Sequence, residues 1–275
     1  MDLSESALNG VELSDVGSGL FRDAPGAVEP GSPGPGLVST ARFFQQLVER
    51  TLFAPAAARS AAAVVKESGS ELGSCGGEMT YTVSADDGTG AFQASFTFKS
   101  FCEAGSVMNG SLTAGGEIDL VRQELEHMTM SFQSLTIADN SDQFSIGGTM
   151  SMDLRNLPTS TAVMNLSVRD DAEQKSFRFD DYRVTATELS GTTEVTVSGR
   201  VYHSDYGYVD IQTLQTFHVA WFDDNPSSGI LEVAGAGNTK ARMTALSSET
   251  LRIEADTNGD GVFDWDSGVL RWEDL

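Results

Sequence analysis

Basic residues are scarce in this chain. Only 17 Lys and Arg stand against 40 Asp and Glu over 275 residues, a net charge of −23 at neutral pH. A sequence-independent grip on nucleic acid needs clustered cations, and docking on anionic lipid needs them too, so both are disfavoured. Histidine is rarer still: His127, His203 and His218 are the full set. Each falls in or at the end of a strand-like run, away from any Ser–Gly elbow or Cys nucleophile. No metalloprotease helix motif, phosphate-cradling Gly loop or dinucleotide fingerprint occurs. The acid pairs Asp170–Asp171, Asp180–Asp181 and Asp223–Asp224 sit at turn-like positions, where solvation explains them better than glycosidase chemistry. No run of about 18 apolar residues is present, so no membrane-spanning helix and no transmembrane segment are expected. The expectation is a protein that is not an enzyme.

Proline is also sparse, and its placement is informative. Four of the seven prolines (Pro25, Pro30, Pro33, Pro35) fall in residues 1–37, separated by Gly26, Gly31, Gly34 and Gly36. This segment reads as a Gly/Pro-rich acidic arm or linker. Its scattered apolar residues (Leu3, Leu8, Val11, Leu13, Val16, Leu20, Phe21) point to docking on its own domain or a neighbour. Residues 38–67 read as a helical segment packing on the sheet. Phe43, Phe44, Leu47, Val48, Thr51 and Leu52 form one apolar stripe, Pro55 breaks it, and the Ala-rich run 56–65 restarts a second short helix. No leader is visible, since Met1 runs straight into Asp2, Ser4 and Glu5; a processed or trimmed form is the reading adopted.

Residues 68–275 alternate apolar and polar side chains through about a dozen strands joined by short polar turns, which predicts sequential antiparallel neighbours. The parity change between Phe132 and Leu135 predicts a bulge. The fold expected is mainly β: a large antiparallel meander, curled or two-layered as a sandwich or open barrel, after an extended arm and one or two short amphipathic helices.

Cysteine occurs twice. About a turn at 86–90, Ala85 meets Phe92, Val83 meets Ala94, Tyr81 meets Phe96 and Met79 meets Phe98. Continuing that count sets Cys75 against Cys102, close enough for a disulfide and hence for an oxidising compartment. Two free thiols, or a hairpin that frays at Gly76 and Gly77, is the competing reading.

Near the end, Asp256, Asn258 and Asp260 place side-chain oxygens at positions 1, 3 and 5 of a loop. Gly261 follows at 6, Val262 offers a carbonyl at 7, and Asp264 stands at 9. This run of about ten residues resembles the calcium loops of EF-hands, dockerins and thrombospondin-type repeats. Ser267 occupies position 12 in place of Glu, with Asp266 as a substitute ligand, and the flanks look like strands. A structural calcium ion competes here with a plain hairpin turn bearing solvated acids. Tyr202, Tyr206, Tyr208 and Trp221 form a possible ligand platform for sugar rings, against which stands ordinary packing across a hairpin.

These features together predict an exported, non-enzymatic structural or assembly protein, of the fibre, coat or adhesion type, stabilised by calcium. It would form homo-oligomers or polymers through residues 1–37 and not bind nucleic acid. A periplasmic carrier of a lipid or other apolar ligand and a carbohydrate-binding module are the alternatives.

Overall fold

The computed structural model describes residue 48 and residues 64–275, apart from positions 104, 123, 140, 141 and 173. The arm 1–37 and nearly all of the helical segment therefore lie outside the described residues. Of that segment Val48, buried and helical in backbone, and residues 64–67 are described.

Fourteen strands follow one another: β1 (Val64–Leu72), β2 (Gly76–Asp86), β3 (Ala91–Glu103), β4 (Ser106–Asp119), β5 (Glu124–Asp139), β6 (Asp142–Asp153), β7 (Thr159–Asp170), β8 (Lys175–Leu189), β9 (Thr192–His203), β10 (Gly207–Ala220), β11 (Ser228–Ala234), β12 (Lys240–Ser247), β13 (Thr250–Asp256) and β14 (Trp265–Arg271). They are hydrogen-bonded in that same order within one sheet, and every pairing described is antiparallel. The expected meander is therefore present as a single sheet, with β14 not paired back to β1. Of the second helix expected over 56–65, residues 56–63 lie outside the described residues, and its last two are strand. Val64 and Val65 open β1 and pair with Asp86 and Ala85, because a β-branched pair beside a free strand edge gains a full ladder.

The chain divides into two compact units. One comprises Pro33–Arg155 and Asn165–Ser176. Its core is built in rows across the strands: Phe96 opposite Leu112 opposite Phe132, and Ala94, Ala114, Met130 and Met150 in line. Met128 and Met152 form the next pair, and these side chains are nearly or wholly shielded from solvent. Each of the Phe, Leu and Met side chains among them contributes about 1.5–3 kcal/mol on burial. Between them point Gln93, Ser95 and Thr97, all exposed, so the opposite face meets water. The predicted bulge is at Phe132–Leu135, with Ser134 in left-handed backbone. The other unit comprises Asn156–Met164 and Phe177–Leu275 beyond the arm residues. Its core gathers Tyr182, Val184, Val195, Val197, Ile211, Phe217, Leu231, Met243 and Leu251. Among the described residues no helix is long and apolar enough to cross a membrane.

The cysteine hairpin keeps the predicted register for all four apolar pairs, from Ala85↔Phe92 to Met79↔Phe98. Beyond Glu78↔Lys99 a bulge intervenes, and Gly76, not Cys75, stands opposite Cys102. Gly77 makes this possible: its φ is 71°, and a Cβ there would lie 1.8 Å from the Ser100 carbonyl oxygen. The chain returns to Cys102 all the same. The Cys75 N–H donates to the Cys102 carbonyl at 3.2 Å, and the two cysteines are disulfide-bonded with Cα atoms 5.1 Å apart.

Candidate ligand platform and terminal acidic hairpin

Three of the four platform residues converge on the β8–β10 sheet. Tyr202 of β9 and Tyr208 of β10 are cross-strand partners with ring centroids 5.7 Å apart. Tyr206, in the turn between them, packs on His203 at 4.7 Å, and His203 meets Phe177 edge-on at 4.8 Å. Trp221 is not part of this group. β10 ends at Ala220, so Trp221 and Phe222 occupy the turn at its far end, with Phe222 almost fully exposed.

The structure adds cations that sequence spacing did not indicate. The Arg178 guanidinium lies 3.9 Å from the Tyr202 ring centre, and that of Arg200 lies 4.2 Å from the Tyr208 ring centre. Arg200 also donates twice to Asp210, at 2.6 and 2.8 Å. Donation to Asp210 first, and then the hydrogen bond with Tyr202, raise the Arg200 pKa, and the bond to Arg200 lowers that of Asp210. The rings therefore pack against guanidinium groups and one another across the hairpins, and two of their faces are already in use.

The terminal hairpin is organised around Asp256, the last residue of β13. It is 2 % exposed. Its Oδ1 accepts from the Gly259 and Asp260 N–H groups at 2.7 and 3.2 Å, and its Oδ2 accepts from Gly261 N–H at 2.8 Å. Asn258 Oδ1 accepts from Asp260 N–H, and Asp260 Oδ1 from Val262 N–H. Gly259 has a φ of 77° and passes so close to Gly237 that a Cβ would fall 2.1 Å from its carbonyl oxygen. The remaining acids are turned elsewhere. Asp264 accepts from the Thr257 N–H and hydroxyl, and those bonds lower its pKa. Asp266 pairs bidentately with Arg252 across the β13–β14 ladder. Among the described residues no three Asp, Glu, His or Cys stand together in a metal-holding group.

No protein-family model, curated protein or solved structure matches this chain. Its chemistry is therefore read from these contacts alone.

The pairing of Asp266 has a measurable consequence. Arg252, and then the Gly268 N–H, hold the Asp266 carboxyl down to about 2. The group is exposed, so the effect on global stability is small. A carboxyl depressed by folding favours the native state above its ordinary pKa near 3.8, and that contribution is lost as pH falls through about 2. A carboxyl NMR titration should give Asp266 a midpoint of about 2, moving up towards the ordinary value in Arg252→Gln, where the Gly268 N–H still holds part of the lowering. An unchanged midpoint in the variant would mean that Arg252 is not the cause.

Proposed function

We propose that this chain is an exported, non-enzymatic structural protein that assembles with copies of itself, and that calcium binds its terminal hairpin. The observation that supports assembly is the edge strand β1. It pairs with β2 in unbroken register from Val64↔Asp86 to Leu72↔Glu78, and among the described residues nothing pairs with its other side. An unbroken edge presents a row of alternating N–H and C=O groups to an added strand. The opposite edge differs: β14 is shorter, and its register slips between Arg252 and Glu254, an interruption of the kind that guards an edge against pairing. The proposed occupant of the β1 edge is the arm, residues 1–37, of another copy. Export is supported by the Cys75–Cys102 bond, since disulfides persist in oxidising compartments.

Sedimentation velocity over a concentration series tests the assembly. The full chain should self-associate, and a form lacking residues 1–37 should not. Glu67→Pro and Ser68→Pro refine the result. Neighbouring residues on a strand point their N–H groups to opposite sides, so one of the two prolines removes an outward donor and spares the ladder to β2. That variant should melt like the native protein and remain monomeric. A full chain that stays monomeric at millimolar concentration overturns the reading.

A further inference from the structure

The water-facing side of β8–β10 carries three cross-strand rows. They are Arg178–Tyr202–Tyr208, then Asp180–Arg200–Asp210, then Arg183–Ser198–Gln212. Among the other cations on β9–β13, Arg200, Lys240, Arg242 and Arg252 each have a carboxylate within 4 Å. Cross-strand ion pairing accounts for them. Arg178 and Arg183 are exposed, and neither has a carboxylate partner among the described residues. Two unneutralised cations on one face stand out in a chain of net charge −23.

The Arg178 guanidinium is also held in place. The group lies over the Tyr202 ring at 3.9 Å, a cation–π contact that restrains it without consuming a carboxylate. A guanidinium fixed in this way accepts a carboxylate bidentately at little entropic cost. The rows lie on an open sheet face, which suits an extended polymer better than a small molecule that needs enclosure. The acid between the arginines narrows the choice further. Asp180 accepts hydrogen bonds from hydroxyls, and these are carried by every sugar ring of a polysaccharide but not by the backbone of DNA. A chain of hydroxyl-bearing rings with carboxylates at intervals matches cation, acceptor and cation in turn.

We propose that this face binds an acidic polysaccharide of the polyuronate class, with Arg178 and Arg183 receiving its carboxylates and Asp180 and Gln212 its hydroxyls. The site lies on β8–β10, remote in sequence from the β1 edge, so it stands or falls separately from self-assembly. Affinity electrophoresis of the full chain tests it, in gels containing alginate, dextran or single-stranded DNA, with EDTA present so that calcium cannot bridge protein and polymer. Alginate should retard the native chain, and retardation should weaken as salt screens the charges. Arg178→Gln and Arg183→Gln should each weaken it about fivefold, and the double variant more than tenfold, with unchanged melting temperatures. Arg155→Gln, which removes an exposed arginine already paired with Asp153, should bind as the native chain does. The proposal is overturned by absence of retardation in alginate, by equal loss in Arg155→Gln, by full binding in the double variant, or by equally strong retardation in dextran or DNA.

Discussion

Cys102→Ser should lower the stability of the unit that contains the hairpin by about 3.5 kcal/mol, the loop-closure entropy for a link between residues 27 apart. For a unit of this size that corresponds to a fall of roughly 10 °C in melting temperature. The estimate follows from where the bond lies. Cys75 and Cys102 flank the bulge at Gly76–Gly77, where the ladder between β2 and β3 loses its regular pairing. Below it Met79 and Phe98 are buried; above it the pairing is carried on by Gly76 opposite Cys102, by the Cys75 N–H to Cys102 carbonyl bond and by the Ser74 N–H to the Glu103 carboxylate. Without the covalent link this end opens first, so the amides of Cys75 and Glu78 should lose hydrogen-exchange protection before those around Phe96. Urea unfolding of Cys102→Ser and of the reduced native chain should agree, because both open the same loop. A midpoint that does not move on reduction would show that the bond adds nothing to the fold.

The same hairpin shows why some of the fold was legible in the sequence and some was not. Period-2 patterning on two arms about the turn at 86–90 defined the register, because a one-residue slip would turn Phe92, Phe96 and Phe98 into water. The bulge escaped, since a count assumes one residue opposite one residue, and only the backbone freedom of Gly77 permits the departure. In β5 the bulge was visible because the apolar parity itself changes between Phe132 and Leu135. The start of β1 was hidden by the alanine run before it; Val64 and Val65 become strand because Ala85 and Asp86 offer them a ladder. At the candidate sites, partners across one short regular turn were readable, and partners brought in by a further strand or by a register slip were not. Tyr202 and Tyr208 face each other across a short turn. Arg178 reaches Tyr202 from the preceding strand, and Arg252 reaches Asp266 only after a register slip that no spacing rule marks.

Asp256→Ala should destabilise the terminal hairpin by about 2 kcal/mol, because it leaves the Gly259 and Gly261 N–H groups without their acceptor, while the Asp260 N–H keeps Asn258. Asp256→Asn keeps one carbonyl oxygen and should cost about half as much. The local signature is hydrogen exchange: the amides of Gly259 and Gly261 should be protected in the native chain and exchange freely in Asp256→Ala. Calcium tests the second half of the reading. An oxygen-lined loop binds calcium more tightly when its first ligand is already oriented, and the amide cradle holds Asp256 in that state. Calcium should therefore raise the melting temperature of the native chain and leave that of Asp256→Ala unmoved. Asp260→Ala separates the two roles. It removes a candidate ligand and the acceptor of the Val262 N–H, but leaves all three bonds to Asp256 intact. Its Gly259 and Gly261 amides should stay protected while its response to calcium disappears. A native chain with protected amides and no response to calcium would remove the metal from the proposed function, and Asp256 would stand as the closing acceptor of an ordinary hairpin turn.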